Sequence, residues 1–332
     1  MKKATAISIF CGLLVTLSLF FNSSILGVPS ITVSHLSFLI DTAHNPVHIS
    51  FSNFIQNYTL ADNNVDGNDT IDHLDNYDAL FIPGSRAPYT SEEMTHIRNW
   101  LMSKTKVLFI GGDSDYSGYF NASASINPLL EFLGSSIRLD AGAIADATNN
   151  DGMSYRVLAT QPGNGTIGSI VNVGIKQILL HGPTAIYGYM NNAPVDLRNT
   201  TIPNVEVLFY YSNTSQPLDQ DVSDSEADFY FKHGSVIGNY PAVVVERINS
   251  SYLVLAGEAL FTDYKNMFGI RGEHGTPLDN YAFVIQLLNY VLKDIKPRTT
   301  PTPTNIGNTS VLYTLIGILG VPVYTYLRRY RR

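Results

Sequence analysis

The sequence predicts an α/β fold: a mostly parallel sheet with helices on both faces, extended by a less regular, mixed α/β second half. Three observations point there. Residues 31–40, 79–83 and 106–110 are short, mainly apolar runs, as expected of strands buried on both faces. Helix-patterned stretches separate them in units of about 30 residues, the length that a right-handed βαβ crossover needs. Each run ends in a polar loop containing Gly, Asn, Asp or Ser.

Taken in order, residues 31–40 form the first strand and run into a loop holding Asp41, His44, Asn45 and Pro46. Residues 47–58 place Ile49, Phe51, Phe54 and Ile55 at helical spacing. The polar, acidic residues 63–69 read as a loop or irregular crossover. Ala79 to Pro83 is a second short strand, and Gly84, Ser85 and Pro88 make its turn. Thr90, Ser91, Glu92 and Glu93 open a helix, with a hydroxyl cap followed by acids in the first turn, that runs to about Ser103. Residues 106–110 are the third strand, ending in Gly111, Gly112, Asp113, Ser114 and Asp115, and residues 127–134 fit a short helix.

The second half continues the same body over residues 141–295. Residues 205–211 predict a strand, and residues 242–248 and 252–256 predict a hairpin around Asn249, Ser250 and Ser251. Residues 262–268 look helical. Residues 276–293 form a closing helix, with Tyr281, Phe283, Val284, Leu287, Leu288 and Val291 on its apolar side. The polar stretch 143–168 carries no regular pattern.

Both ends have membrane character. Lys2 and Lys3 precede an apolar run over residues 7–21, so residues 1–28 read as a secretory signal peptide or an N-terminal anchor. Residues 309–327 hold no charged side chain, and at 1.5 Å per residue they come close to spanning the ~30 Å hydrocarbon core. Arg328, Arg329, Arg331 and Arg332 mark the cytoplasmic side as residues 328–332. Residues 296–308, with proline at alternate positions over part of their length, form an extended stalk. The expected topology is an extracellular body on a single plasma-membrane span, which makes the membrane the first expected partner.

The composition fits an exported protein. Removing Lys2, Lys3 and the four terminal arginines from 21 basic residues leaves 15 against 28 acidic ones. An acidic body of this kind lacks the basic face that nucleic-acid binding requires. Sequons at Asn57, Asn68, Asn121, Asn164, Asn199, Asn213 and Asn249, with two more at Asn22 and Asn308, predict a glycoprotein. The lone cysteine, Cys11, lies in the leader, so the mature body has no disulfide. Low charge, 20 tyrosines and dense sequons suit an acidic or hot exterior, as in archaeal surface proteins.

The Ile40–Asp41 loop with His44 and Asn45, then YDALFIPGS, the SEEM-x-x-IRNWL helix and KVLFIGGDSD together resemble the class I glutamine-amidotransferase-like superfamily. Within it they are most similar to the membrane-anchored surface proteins of the DUF4350 type, over about residues 34–139 of a domain spanning residues 29–140. The resemblance implies a flavodoxin-like sheet. It also implies a nucleophilic cysteine on a tight elbow after the 106–110 strand. Here that elbow holds Gly112, Asp113 and Ser114, so thiolate chemistry is excluded and only a serine could substitute.

In parallel sheets ligands sit at the carboxyl ends of the strands. Asp41, His44, Asn45, Gly84, Ser85, Gly112, Asp113, Ser114 and Glu258 are therefore the candidate ligand-binding residues. The candidate catalytic set is Ser114 with Asp113 and either His181 or His274 as base, although the flanking residues do not form G-x-S-x-G. Asp41, His44, Asp113, Glu258 and Asp263 are oxygen-rich enough to hold a divalent cation, but their spacing matches no metal motif. Nothing in the pattern calls for a cofactor. The expected function is a non-catalytic surface module that binds a small polar ligand or other cell-surface proteins. The alternative is an extracellular hydrolase using Ser114 or a metal-bound water.

Overall fold

The computed structural model describes residues 36–45, 50–60, 64–66, 69–115, 122–220, 230–232, 234 and 236–295. The predicted leader, stalk, membrane span and tail lie outside the described residues, as do Asn68, Asn121 and the side chain of Asn57. Among the described residues no helix is long and apolar enough to cross a membrane.

The first half runs β1 (Ser37–Ile40), α1 (Ser52–Leu60), β2 (Asn64–Asp66), a 3₁₀ turn (Ile71–Asn76), β3 (Ala79–Pro83), α2 (Ser91–Ser103), β4 (Val107–Gly111) and α3 (Ala122–Phe132). Short strands follow: β5 (Ile137–Leu139), β6 (Ala143–Ala145), β7 (Arg156–Ala159) and β8 (Gln161–Pro162). Then come α4 (Gly168–Val171), β9 (Ile178–His181), β10 (Ile186–Met190), β11 (Ala193–Val195), β12 (Val205–Tyr210) and β13 (Gln216–Leu218). The β14 (Pro241–Ile248) and β15 (Ser251–Ala256) hairpin and the helix α5 (Asn280–Leu292) end the described chain.

The main sheet has the order β2-β1-β3-β4-β15-β14-β12-β8. Its first four junctions are parallel, and its last three are antiparallel. The change of direction occurs at the β14–β15 hairpin. Its turn uses Asn249 at φ 54, a left-handed conformation that Asn adopts more readily than most residues. The hairpin lets the second half add β15 directly beside β4, so both halves share one sheet. Smaller ladders β11-β10-β5, β13-β6 and β7-β9 complete the strands.

Alternation along the strands sends their side chains to two cores. Phe38, Phe81, Phe109 and Val254 pack with Phe54 of α1, Phe261, and Phe283 and Leu287 of α5. Leu80, Leu108, Ile110 and Leu253 pack on the opposite face with Ile97 and Trp100 of α2 and Leu129 of α3. Each such side chain contributes about 1.5–3 kcal/mol on full burial. Helices therefore cover both faces, as a parallel sheet requires. The α2 helix starts with a capping box: Thr90 Oγ1 accepts from the Glu93 amide at 3.2 Å, and Glu93 Oε2 accepts from the Thr90 amide at 2.8 Å.

Several expectations need correction. Residues 63–69 contain strand β2, a three-residue parallel edge whose Asn-Val-Asp sequence is too short and polar to register as apolar periodicity. The helix read at 127–134 begins earlier, at Ala122, and includes Pro128. Residues 262–268 form only a 3₁₀ turn over Tyr264–Asn266, with Lys265 and Asn266 at φ 50 and φ 63. The patternless stretch 143–168 builds β6, β7 and β8. The first-half sheet is parallel as read, but the whole sheet is mixed.

Candidate functional site

The parallel register aligns the carboxyl ends of β1, β3, β4 and β15, and a cavity of ≈ 530 Å³ opens beside them. Asn45, Arg86, Asp113, Ser114 and Glu258 reach it from these strand ends. His181 and Gly182, which follow from β9, close another side together with β6. Tyr155, Tyr264 and Lys265 complete the wall.

Local geometry explains these positions. Gly84 takes φ 73 immediately after β3, where a Cβ atom would lie 3.4 Å from the Gly112 carbonyl oxygen. The turn therefore needs glycine for its conformation, since a Cβ atom would meet the neighbouring loop only at ordinary contact distance. The Arg86 amide donates to the His44 carbonyl at 2.8 Å, and Asn45 Nδ2 donates to the Pro83 carbonyl, which ties the first two loops together. After β4 the Gly112 amide donates to the Ala256 carbonyl at 2.7 Å. The Ser114 amide donates to both Asp113 Oδ1 at 2.8 Å and the Gly182 carbonyl at 3.1 Å.

The cavity lining holds two carboxyls and two cations, and the carboxyls are kept from ionising freely. Burial pushes the Asp113 carboxyl up to about 7, against the lowering influence of the Ser114 amide and Arg86 and with Asp115 adding to the rise. Burial and the neighbouring Asp113 carboxyl push Glu258 well above the usual carboxylate range. One Glu258 oxygen accepts from the Ala259 amide at 2.9 Å. Burial, with Arg156 and Lys265 nearby, lowers His181 to about 4 and keeps its ring neutral. That ring stands edge-on between Tyr155, at 5.3 Å between centroids, and Tyr264, at 5.1 Å.

An ion-pair chain, buried at Asp151 and Arg156, exposed at Glu273 and half-buried at Lys265, holds this wall. Arg156 is 1% exposed; its Nη2 lies 2.6 Å from Asp151 Oδ2 and its Nη1 lies 2.9 Å from Glu273 Oε2. Glu273 Oε1 in turn lies 3.1 Å from Lys265 Nζ. Arg156 also faces His181 across the β7–β9 pair.

The candidate residues divide into groups. Asn45, Asp113, Ser114, His181 and Glu258 share the cavity, and Gly84, Ser85 and Gly112 shape the loops at its edge. Asp41 and His44 do not line it. The Asp41 carboxylate accepts from Tyr89 Oη at 2.7 Å, and its Oδ2 lies 2.9 Å from His44 Nδ1, while the His44 ring stacks on Tyr89 at 4.1 Å. Burial alone would lower the His44 pKa, but the bonds and charge of Asp41, with Glu93 at 3.4 Å on the other nitrogen, raise it. Asp263 points to the start of α1, accepting from Ser50 Oγ at 2.8 Å and from the Asn53 amide at 3.2 Å. His274 is exposed and packs against Gly152, outside the cavity. Among the described residues no three His, Cys, Asp or Glu side chains are placed to share a metal ion, so the five-residue cation set is not assembled. Asn164, Asn199, Asn213 and Asn249 are exposed.

Sequence reasoning missed Tyr155, Tyr264 and Lys265. The loop from Gly84 to Arg86 is expected at the ligand end of the sheet, but the sequence does not single out Arg86 as a binding residue. Tyr155 comes from a segment without periodicity, and the helical reading of residues 262–268 does not bring Lys265 to the site, which needs the 3₁₀ turn seen there.

No family model matches the chain, and no curated protein matches it. A solved structure shares the fold, and two others align more weakly. The mmIFT52 N-terminal domain aligns with a TM-score of 0.52 at 11% identity, covering 76% of this chain and 96% of that one. A ThuA-like protein from Bacteroides uniformis aligns with a TM-score of 0.42 at 13% identity, covering 81% and 96%. A GMP synthase component from Thermoplasma acidophilum gives 0.38 at 8% identity, covering 79% and 96%. At 11% identity the likeness to the mmIFT52 domain concerns the fold alone.

Proposed function

We propose that the chain is a membrane-anchored, glycosylated surface protein of the amidotransferase-like superfamily, DUF4350 type, that binds a small polar ligand without turning it over. The cavity at the ends of β4 and β15 is its binding site. The observation that carries this reading is the elbow after β4. The position where the superfamily's hydrolases carry cysteine holds Gly112, Asp113 and Ser114, and among the described residues no hydrogen bond joins the Ser114 hydroxyl to a histidine. A serine without an adjacent base is a poor nucleophile. The polar groups around it are nonetheless convergent and enclosed, which suits binding. The loop motifs that carry the resemblance sit at the strand ends bordering this cavity.

The hydrolase reading has one observation in its favour, since Ser114 and His181 line the same cavity. The full chain, purified from membranes, is assayed against ester, amide and glycoside substrates. No turnover above that of Ser114→Ala is expected. Hydrolysis that disappears in Ser114→Ala, or on chelation, would establish the enzyme instead. Protease added to intact cells is expected to remove the body, and a protected body would reject the surface topology.

A further inference from the structure

The cavity presents little net charge to a ligand. Lys265 Nζ is paired with Glu273 at 3.1 Å, Arg86 feels the attraction of Asp113, and burial holds the Asp113 and Glu258 carboxyls toward their uncharged forms. A charged ligand entering an enclosed site must displace one of these partners or remain without one, and either alternative is costly. An uncharged ligand meets no such penalty.

The deep end of the cavity still offers hydrogen-bonding capacity. Glu258 is 7% exposed, and of its two carboxyl oxygens only the one bonded to the Ala259 amide has a hydrogen-bond partner among the described residues. Ser114 is 1% exposed, and its hydroxyl makes no protein hydrogen bond among those residues. Neither atom is among the fully enclosed unpartnered ones, so both are open to the cavity and available to a ligand within it. The outer wall is different. Tyr155 and Tyr264, 46% and 42% exposed, flank the neutral His181 ring and present aromatic surface.

A polar floor opposite an aromatic wall asks for a ligand with hydroxyls on one side and an apolar C–H face on the other. We propose that the cavity binds an uncharged saccharide, with hydroxyls on Glu258, Asp113 and Ser114 and a sugar face against Tyr155 or Tyr264. The ≈ 530 Å³ volume lies within the ~300–1,000 Å³ range of small-molecule clefts. This inference rests on the reading of the cavity as a ligand site and narrows it to one chemical class.

The test is ligand-observed saturation-transfer NMR on the full chain, held in a detergent without a sugar headgroup. One arm uses neutral mono- and disaccharides, a second uses the same sugars immobilised as surface glycans, and a third uses charged probes: spermidine, lysine and citrate. Transfer to the ring C–H protons of neutral sugars is expected. Binding should weaken at least tenfold in Glu258→Leu, which removes the polar head, and in Tyr264→Ala, and stay unchanged in Val236→Ala, a substitution of a 78% exposed side chain. The first two arms separate a free sugar from a surface glycan. Glu258→Leu keeps the side-chain volume and Tyr264 is 42% exposed, and circular dichroism checks that both variants keep the fold. Binding of charged probes alone overturns the saccharide assignment and leaves the site standing. Sugar binding indifferent to both variants, or no binding in any arm, overturns the site as well.

Discussion

Asp113 and Glu258 occupy equivalent positions on neighbouring parallel strands, each two residues beyond the paired Gly111 and Ala256 that end the β4–β15 ladder. The register therefore places two carboxyls side by side at the floor of the cavity, and burial prevents both from ionising freely. Between about pH 4 and about 7 the folded chain holds a proton on Asp113 that the unfolded chain has released. Stability contributed by this group is greatest at low pH and falls as pH rises through that window, and Glu258 extends the same trend upward. Asp113→Asn should flatten the slope, gaining on the order of 2 kcal/mol at pH 8 and almost nothing at pH 4. Urea unfolding at pH 4, 6 and 8 reads this directly. An unchanged slope would show that Asp113 titrates normally.

Arg156 should be the costliest single charge to remove. Its guanidinium is buried between Asp151, itself fully enclosed, and the more exposed Glu273. Arg156→Met leaves the Asp151 carboxylate uncompensated and should lower stability by about 3–5 kcal/mol. Glu273→Ala removes only the solvent-facing partner and should cost about 1 kcal/mol or less. Denaturant midpoints of the two variants check the ranking. In Arg156→Met the His181 resonances should also titrate at higher pH, because a nearby positive charge is gone.

The sequence was legible where burial was uniform. Phe81, Phe109 and their neighbours are apolar on both faces of the sheet, so their strands announced themselves, and Thr90 with Glu93 marked the start of α2 by residue type alone. The antiparallel extension was only half visible, because the β14–β15 hairpin shows its turn at Asn249 but not which strand it will join. The site was legible on the side built from consecutive strand ends, at Asp113, Ser114 and Glu258. Asp41 and His44 obeyed the same logic, yet they bond each other and Tyr89, since a carboxylate beside an imidazole three residues on closes locally before it reaches a ligand. Tyr155 and Lys265 were invisible because their positions depend on Arg156, an ion pair formed over more than a hundred residues of chain, and on a left-handed backbone at a lysine.

The exposed sequons predict where carbohydrate attaches. Asn199 and Asn213 sit in loops, and Asn249 is in the hairpin turn. Asn164 lies between β8 and α4 and is equally open. Glycopeptide mass spectrometry of protein from its native membrane should find modification at two or more of these four. Unmodified peptides at all four would remove the glycoprotein reading.

Gly257 should prove the least replaceable glycine of the site, for reasons of space. A Cβ atom there would lie 2.2 Å from the Thr184 carbonyl oxygen and 2.4 Å from Tyr211 Oη. Those two atoms are hydrogen-bonded to each other at 2.7 Å, and the Thr184 amide donates back to the Gly257 carbonyl at 3.1 Å. Gly257→Ala must open this buried contact and shift the end of β15, carrying Glu258 with it. Overpacking and a strained buried hydrogen bond together should cost about 3 kcal/mol. Gly134 is the comparison. It has φ 74 at the end of α3, but a Cβ there meets nothing within 4 Å, so Gly134→Ala should cost about 1–2 kcal/mol from backbone strain alone. Ligand binding should be weakened in Gly257→Ala beyond what its stability loss explains and be unchanged in Gly134→Ala. Equal effects of the two substitutions on binding would mean that Glu258 is not held in place by this contact.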